Sequence, residues 1–336
     1  MADLCVIKGD GISSEVIPAV IRVARQVIPH LKTHTAYAGW DYFQEHGTPL
    51  PQETIDMAKD IKAVLFIAAD SPSVPIEGYF SPIIRLRRML STYANLRPTR
   101  YLPVPTARVG VDLFVVRENT EDLYISDEQV ADDGDTGTAT KVITRQATER
   151  IARTAYWLAQ ESQYSQVTIV HKGNVFPQTD GLFRRVALEI AEGYPQIETD
   201  ELLVDTAAYW MVKNPSRFNV ILTSNMYGDI LSDMAAAWGG GLGLAPALNL
   251  GDDVAIAEPV HGAAPDIAGK GVANPTAAIL SFAMLVRFHW GQVDIAQQIE
   301  DAVYQTLSEG YHTIDIPTDK SVSTVEFTDR VCEHLE

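Results

Sequence analysis

A repeated alternation most constrains what this chain can become. Short runs rich in Val, Ile and Phe occur at 4–8, 63–68, 111–117, 166–171, 219–224 and 254–257. Between them, apolar residues recur with helical spacing at 14–28, 147–161, 179–192, 205–212, 229–238, 275–289, 295–308 and 324–334. Runs of that length bounded by turn-forming residues read as strands, and strands alternating with helices build α/β proteins with a mixed, largely parallel sheet. The Asn274-Pro275 step marks a helix start, because proline is tolerated in the first turn.

With 336 residues, 46% of them hydrophobic, the chain can bury a core in more than one domain, which excludes disorder, collagen and small disulfide scaffolds. Cys5 and Cys332 belong to no CxxC or His-flanked cluster, so neither a disulfide framework nor a zinc site is indicated. A reducing cytoplasmic setting is expected. The start of the sequence has no leader-like pattern, and no apolar run approaches the roughly 18 residues of a membrane span. A formal net charge of −18 disfavours nucleic acid and anionic membranes as partners. That charge is uneven: 78–111 contains no acid but holds Arg85, Arg87, Arg88, Arg97, Arg100 and Arg108.

Three places interrupt the regular pattern. The polar stretch 126–140 reads as an exposed hairpin tip or loop, or as an arm reaching a partner subunit. Gly9-Asp10-Gly11 joins a strand to a helix, where backbone N–H groups can meet a ligand. Gly239-Gly240-Gly241-Leu242-Gly243 follows a helix and lacks the GxGxxG spacing of a dinucleotide-binding turn.

Asp229 and Asp233 lie four apart on a helix and therefore share a face. Their repulsion is relieved by a hard divalent cation such as Mg²⁺ or Mn²⁺; the plainer alternative has Asp229 capping the helix and Asp233 solvated. Arg87, Arg97 and Arg117 lie in or beside apolar segments, and converging guanidinium forks suit a small polycarboxylate. Arg88 and Arg100 read as basic side chains snorkelling from the surface. Lys172, at the end of an apolar strand, is either a surface charge or a partly desolvated general base, and Tyr124 either a core aromatic or a proton donor.

Taken together, these motifs resemble one family across essentially the whole chain. They are Lys8 to Gly11, Leu86-Arg87 with Ala94 to Pro98, Arg117 to Tyr124, His171 to Asn174, Asn225 to Asp233, and Glu258 to Gly262 with Ala264 to Gly269. The family comprises the metal-dependent, NAD(P)-linked β-decarboxylating dehydrogenases acting on isocitrate, isopropylmalate, homoisocitrate and tartrate or malate. The resemblance implies the isocitrate/isopropylmalate dehydrogenase two-domain fold. A discontinuous cofactor-carrying domain would span 1–98 and 250–336. A central substrate, metal and dimerisation domain would span 99–249, with a clasp near 125–145.

It further implies a homodimer or higher homo-oligomer with shared active sites. Arg87, Arg97 and Arg117 would grip the malate-type carboxylates, with Asn174 beside them. Asp229 and Asp233 would bind Mg²⁺ or Mn²⁺, with Asp205 from the neighbouring subunit. Lys172, also from the neighbour, would take the hydroxyl proton, and Tyr124 would protonate the enolate. The cofactor would meet Ser71, Asn225, His261, Gly262, Ala264, Asp266, Ile267 and Asn274. A lysine-tyrosine pair after the Ala-Pro step suits an NADP phosphate; Asp266-Ile267 stands there instead, which favours NAD.

Substrate choice turns on the segment 80–87. Isocitrate enzymes carry Ser and Asn two apart, and Ile83 replaces the Asn. Isopropylmalate enzymes are apolar here, which Ser81 and Arg85 do not match. The string Glu77 to Ile84 is most similar to homoisocitrate dehydrogenases, implying formation of 2-oxoadipate and CO₂, with Ser81, Arg85 or neither meeting the distal carboxylate. NAD-linked isocitrate, isopropylmalate or tartrate/malate oxidation, a non-catalytic regulatory subunit and Mg²⁺-dependent phosphoryl transfer are the alternatives. Two departures from the family pattern are Ser13, at a usual glycine, and the 313–319 segment.

Overall fold

The structure, a computed structural model, describes residues 2–72, 74–132 and 134–335. In chain order the strands are β1 (Asp3–Lys8), β2 (Lys32–Tyr37), β3 (Ala63–Phe66), β4 (Ala94–Arg100), β5 (Asp112–Glu118), β6 (Glu128–Val130), β7 (Gly137–Ala139), β8 (Gln166–His171), β9 (Glu198–Leu203), β10 (Val220–Thr223), β11 (Leu248–Leu250) and β12 (Ala255–Ala257). The helices are α1 (Ser13–Val27), α2 (Trp40–His46), α3 (Gln52–Ile61), α4 (Pro82–Met89), α5 (Arg145–Glu161), α6 (Asp180–Ala191), α7 (Val204–Lys213), α8 (Asn225–Ala236), α9 (Thr276–Phe288), α10 (Val293–Ser308) and α11 (Thr324–Glu333).

The chain divides into two compact units, Met1–Thr92 with Tyr101–Val109 and Ala236–Glu336, and Tyr93–Arg100 with Gly110–Ala235. These bounds differ from those expected at 98 and 249. Residues 94–98 belong with the second unit because β4 pairs antiparallel with β5 along its length, from Ala94 opposite Glu118 to Arg100 opposite Asp112.

In the first unit the strand order is β2-β1-β3-β12-β11, parallel except for the β11–β12 pair. Strand β3 is buried at every position, as a strand covered on both faces must be. One face packs Cys5, Ile7, Val64, Phe66 and Ile256 with Ile55, Leu86 and Leu90. Each such side chain contributes about 1.5–3 kcal/mol by leaving water.

The second unit has the order β4-β5-β10-β8-β9, parallel beyond the β4–β5 pair, with α5 against β5, β8 and β10. Thr144 caps α5, its hydroxyl accepting the Ala147 N–H at 3.1 Å. The stretch expected as a hairpin tip does form one: β6 and β7 are antiparallel and exposed throughout, with Asp133 outside the described residues.

The strands legible in the sequence are those with a continuous apolar run. Edge strands β2 and β9 read as polar, and β4 carries two arginines and a proline, so none shows an apolar run. Among the described residues, no helix is long and apolar enough to cross a membrane.

Candidate active site

Strand β5 ends in Arg117-Glu118, next to β10, and β10 leads into α8 through Ser224. Helix α8 begins at Asn225, so Asp229 lies one turn inside it. The capping alternative for Asp229 therefore falls, and its carboxylate is available to the neighbouring strands. Gly228 permits the approach: a Cβ there would lie 2.7 Å from the Arg117 Cβ.

Arg117 is 1% exposed, yet its guanidinium is fully engaged. Its Nε and Nη2 donate to Asn225 Oδ1 at 2.9 and 2.7 Å, and Nη1 pairs with Asp229 Oδ1. Asn225, expected among the cofactor contacts, thus orients Arg117, while its amide donates to the Glu121 carbonyl at 3.1 Å. Tyr124 donates to Asp229 Oδ2 at 2.5 Å, and the Arg117 guanidinium lies 4.9 Å from its ring centre. Burial raises the Tyr124 pKa, opposed by Arg117 and reinforced by Asp229, so the phenol keeps its proton.

Arg97, on β4, joins from the other side. Its Nε donates to Asn95 Oδ1 at 2.6 Å, and Nη1 to Ser232 Oγ at 2.7 Å and Asp233 Oδ1 at 3.0 Å, with Asp229 Oδ1 at 3.4 Å. Burial first, then the Asp229 charge, raises the Asp233 pKa, while Arg97 and Arg117 hold it down. Two carboxylates and two guanidiniums therefore share one face of α8, all hard-oxygen or charge-assisted donors, a set that fits a divalent cation together with an anionic ligand.

Lys172 and Asp205, on the β8 loop and on α7, form an ion pair with each other. That bond lowers the Asp205 pKa. Among the described residues, no three acidic, His or Cys side chains of one chain could hold a metal ion together, so Asp205 does not complete the Asp229–Asp233 pair within this chain. Asn174 is exposed.

In the first unit Arg87 is 6% exposed, and its guanidinium meets Glu258, Nη2 to Oε1 and Oε2 at 2.9 and 2.8 Å, while Asn249 Nδ2 donates to the same carboxylate at 2.6 Å. Nothing in the sequence marks Glu258 and Asn249 as its partners beyond the place of Glu258 at the start of the 258–262 motif. Arg85 is exposed, and its guanidinium carbon lies over Phe80, 4.4 Å from the ring centre. Ser81 precedes α4 without a side-chain cap bond. Ser71 and Ser81 line one cavity of about 440 Å³ with Pro72, Tyr79 and Phe80.

In the Gly9-Asp10-Gly11 turn the Asp10 N–H bonds Ala68 O at 3.0 Å, and just after it the Ile12 N–H bonds Ala263 O at 2.9 Å. Gly11, at φ +57°, packs so closely that a Cβ would lie 2.0 Å from Ala263 O. Ser13, the departure from glycine, is buried and donates to Ala68 O at 3.3 Å.

His261 donates through Nδ1 to Gly262 O at 3.1 Å, and its buried Nε2 has no hydrogen-bond partner. Burial lowers its pKa, so the neutral ring presents an acceptor there that a ribose or adenine donor would satisfy. Asn274 donates to Asp315 Oδ2 at 3.1 Å, which ties the departing 313–319 segment to this loop. Ala264 has φ +42°, whereas Gly262 and Asp266 are exposed and Ile267 half-buried.

Comparison with known proteins agrees with this layout. The family model described as isocitrate/isopropylmalate dehydrogenase matches residues 3–331. An isocitrate/homoisocitrate dehydrogenase of Thermus thermophilus is 46% identical over 333 residues, covering 99% of this chain and 98% of that one. A 3-isopropylmalate dehydrogenase of Archaeoglobus fulgidus is 44% identical over 337 residues, covering 100% of both. The crystal structure of isocitrate dehydrogenase from Methylococcus capsulatus superposes with a TM-score of 0.96 at 38% identity, covering 100% of this chain and 99% of that chain. The chain belongs to the isocitrate/isopropylmalate dehydrogenase family. It is an oxidoreductase of that class.

Proposed function

We propose that the chain catalyses NAD-dependent oxidative decarboxylation of homoisocitrate to 2-oxoadipate and CO₂. The observation that carries the reaction class is the Asp229 carboxylate, joined on one side to Arg117 and on the other to the Tyr124 hydroxyl. Arg97 and Arg117 are the forks for the malate-type carboxylates, and Arg87 a third, once released from Glu258. Lys172 takes the hydroxyl proton in the oxidation step, for which bound NAD would supply the hydride acceptor. Tyr124, kept protonated by its surroundings, returns a proton to carbon after CO₂ departs. A divalent cation held by Asp229 and Asp233 supplies Lewis-acid stabilisation of negative charge developing on the substrate oxygen.

Three features support the finer assignments. Asp266 is exposed in the loop that follows His261, where a carboxylate accepts from a ribose and repels a 2′-phosphate, so NAD is the cofactor. Arg85 is exposed with its guanidinium carbon 4.4 Å from the Phe80 ring centre, a cation–π contact that holds it near Ser81 for the distal carboxylate. The relative with 46% identity is named for both isocitrate and homoisocitrate. Isocitrate is the second reading, favoured by the uncapped Ser81 side chain.

The enzyme acts as a homodimer in which Lys172 and Asp205 serve the partner's site. That Asp205 forms no metal-holding group with Asp229 and Asp233 among the described residues supports this, as do the exposed apolar residues Tyr209 and Val212 on α7 and Met226 and Ile230 on α8. The β6–β7 hairpin would be the clasp, and the cytoplasm is the proposed location. Initial rates of NADH formation with homoisocitrate, isocitrate and 3-isopropylmalate test the substrate. A preference for homoisocitrate supports it, whereas a preference for either other acid overturns it and leaves the reaction class standing.

A further inference from the structure

Lys141 has no part in the chemistry above, yet its ammonium group is nearly enclosed. Its Nζ donates to Asp180 Oδ1 at 2.5 Å, stands 3.6 Å from Asp122 Oδ1 and 3.5 Å from the Tyr227 hydroxyl, and lies 4.6 and 5.2 Å from the Tyr227 and Phe176 ring centres. Asp122 is 0% exposed and Asp180 2%. Asp122 Oδ1 is buried without a hydrogen bond, so its charge is offset through space by Lys141.

Each carboxylate uses its other oxygen on a main-chain amide beside a proposed active-site group. Asp180 Oδ2 accepts the N–H of Lys172 at 2.7 Å, and Asp122 Oδ2 accepts the N–H of Met226 at 3.0 Å, in the first turn of the helix that carries Asp229 and Asp233. Asp122 also holds φ +71° and ψ −147°, a conformation natural to glycine, two residues before Tyr124. A non-glycine residue keeps it only where the surroundings fix it. Here its N–H bonds Val142 O at 2.9 Å, so the residue after Lys141 clamps the backbone while Lys141 faces the side chain.

We propose that Lys141 is a positioning residue: by offsetting Asp122 and Asp180 together, it holds the Tyr124 turn, the start of α8 and the Lys172 main chain in one arrangement. This rests on the roles given above to Tyr124, Lys172 and α8. Without the ammonium group, two buried carboxylates repel each other, and any separation pulls on the Met226 and Lys172 amides. Arg97 and Arg117 keep their own partners, so turnover suffers more than substrate binding.

Steady-state kinetics of the full chain, with NAD, Mn²⁺ and whichever of the three acids the wild type turns over, test this. Lys141→Met is expected to lower kcat by at least roughly thirtyfold with KM within about threefold, and Lys141→Arg to recover at least roughly tenfold over it. Lys141→Met/Asp180→Asn, in which the amide oxygen still accepts from Lys172 and one charge of each sign is gone, is expected to recover about fivefold or more. A kcat for Lys141→Met within about threefold of wild type, a loss confined to KM, or no recovery in either companion variant overturns the proposal. Should Lys141→Met not fold, the two companions decide: kcat within about tenfold of wild type in both supports positioning, and a larger loss in either contradicts it. A wild type inactive on all three acids overturns the functional reading together with this one, whereas an active wild type matched by Lys141→Met overturns this one alone.

Discussion

Arg117 and Asp229 are joined guanidinium to carboxylate, although one is proposed to grip the substrate and the other to hold the cation. With Arg97 against Asp233 at 3.0 Å, the charges on this face of α8 cancel. The two malate-type carboxylates of the substrate and a divalent cation also cancel each other, the distal carboxylate being the one proposed for Arg85. Together they replace both ion pairs without stranding a charge, whereas either alone leaves an unpaired guanidinium or carboxylate in a partly buried setting, which is costly. Cation and substrate are therefore expected to favour each other's binding. Calorimetric titration of Mn²⁺ in the absence of NAD should show at least roughly tenfold tighter binding when the substrate is present. Equal affinity with and without substrate contradicts the exchange of partners.

Glu121 gives the fold a pH dependence. Burial pushes its carboxyl up to about 7, partly offset by the Thr144 N–H and hydroxyl, each 2.8 Å from a carboxylate oxygen. Because the folded pKa lies above the unfolded value, this group's contribution to stability is fully present below about pH 4.5 and is lost as pH rises to about 7. Glu121→Gln removes the titration. Urea unfolding at pH 5 and pH 8 should show the variant gaining on the wild type by up to roughly 3 kcal/mol over that interval. A difference independent of pH sinks the assignment.

Cofactor choice is assigned to two neighbouring side chains. Asp266→Lys with Ile267→Tyr replaces a carboxylate by a phosphate-binding pair, and the ratio of kcat/KM for NAD to that for NADP should fall at least about a hundredfold. An unchanged ratio places the discrimination elsewhere.

Shared sites make a counting prediction. Lys172→Met and Tyr124→Phe chains are each expected to be nearly inactive. If Lys172 serves the partner's site, unfolding and refolding them as an equal mixture restores about a quarter of wild-type activity, because half the dimers are mixed and each has one intact site. No recovery contradicts the shared arrangement.

Much of this site was legible because its chemistry is local in sequence. The Asp229–Asp233 spacing and the position of Arg117 at a strand end follow from helical and strand periodicity, and the structure places them together. What was not legible depends on tertiary neighbours. Arg87 reads as a free fork until Glu258, 171 positions later, is brought against it. The bond from Arg117 to Asn225 exists only because the fold carries the end of β5 beside the start of α8. Gly9 to Gly11 reads as a ligand loop, and nothing local shows that the Ala68 carbonyl takes its Asp10 amide. Lys141 gives no sequence signal at all, since its carboxylates lie 19 positions before it and 39 after it.

With homoisocitrate, NAD and Mn²⁺, NADH and CO₂ released by the purified chain should appear in equal amounts, and both should vanish when EDTA removes the cation and return when Mn²⁺ is restored in excess. NADH formed without CO₂, or undiminished turnover in EDTA, contradicts the oxidative decarboxylation assigned to Arg97, Arg117, Tyr124, Lys172, Asp229 and Asp233.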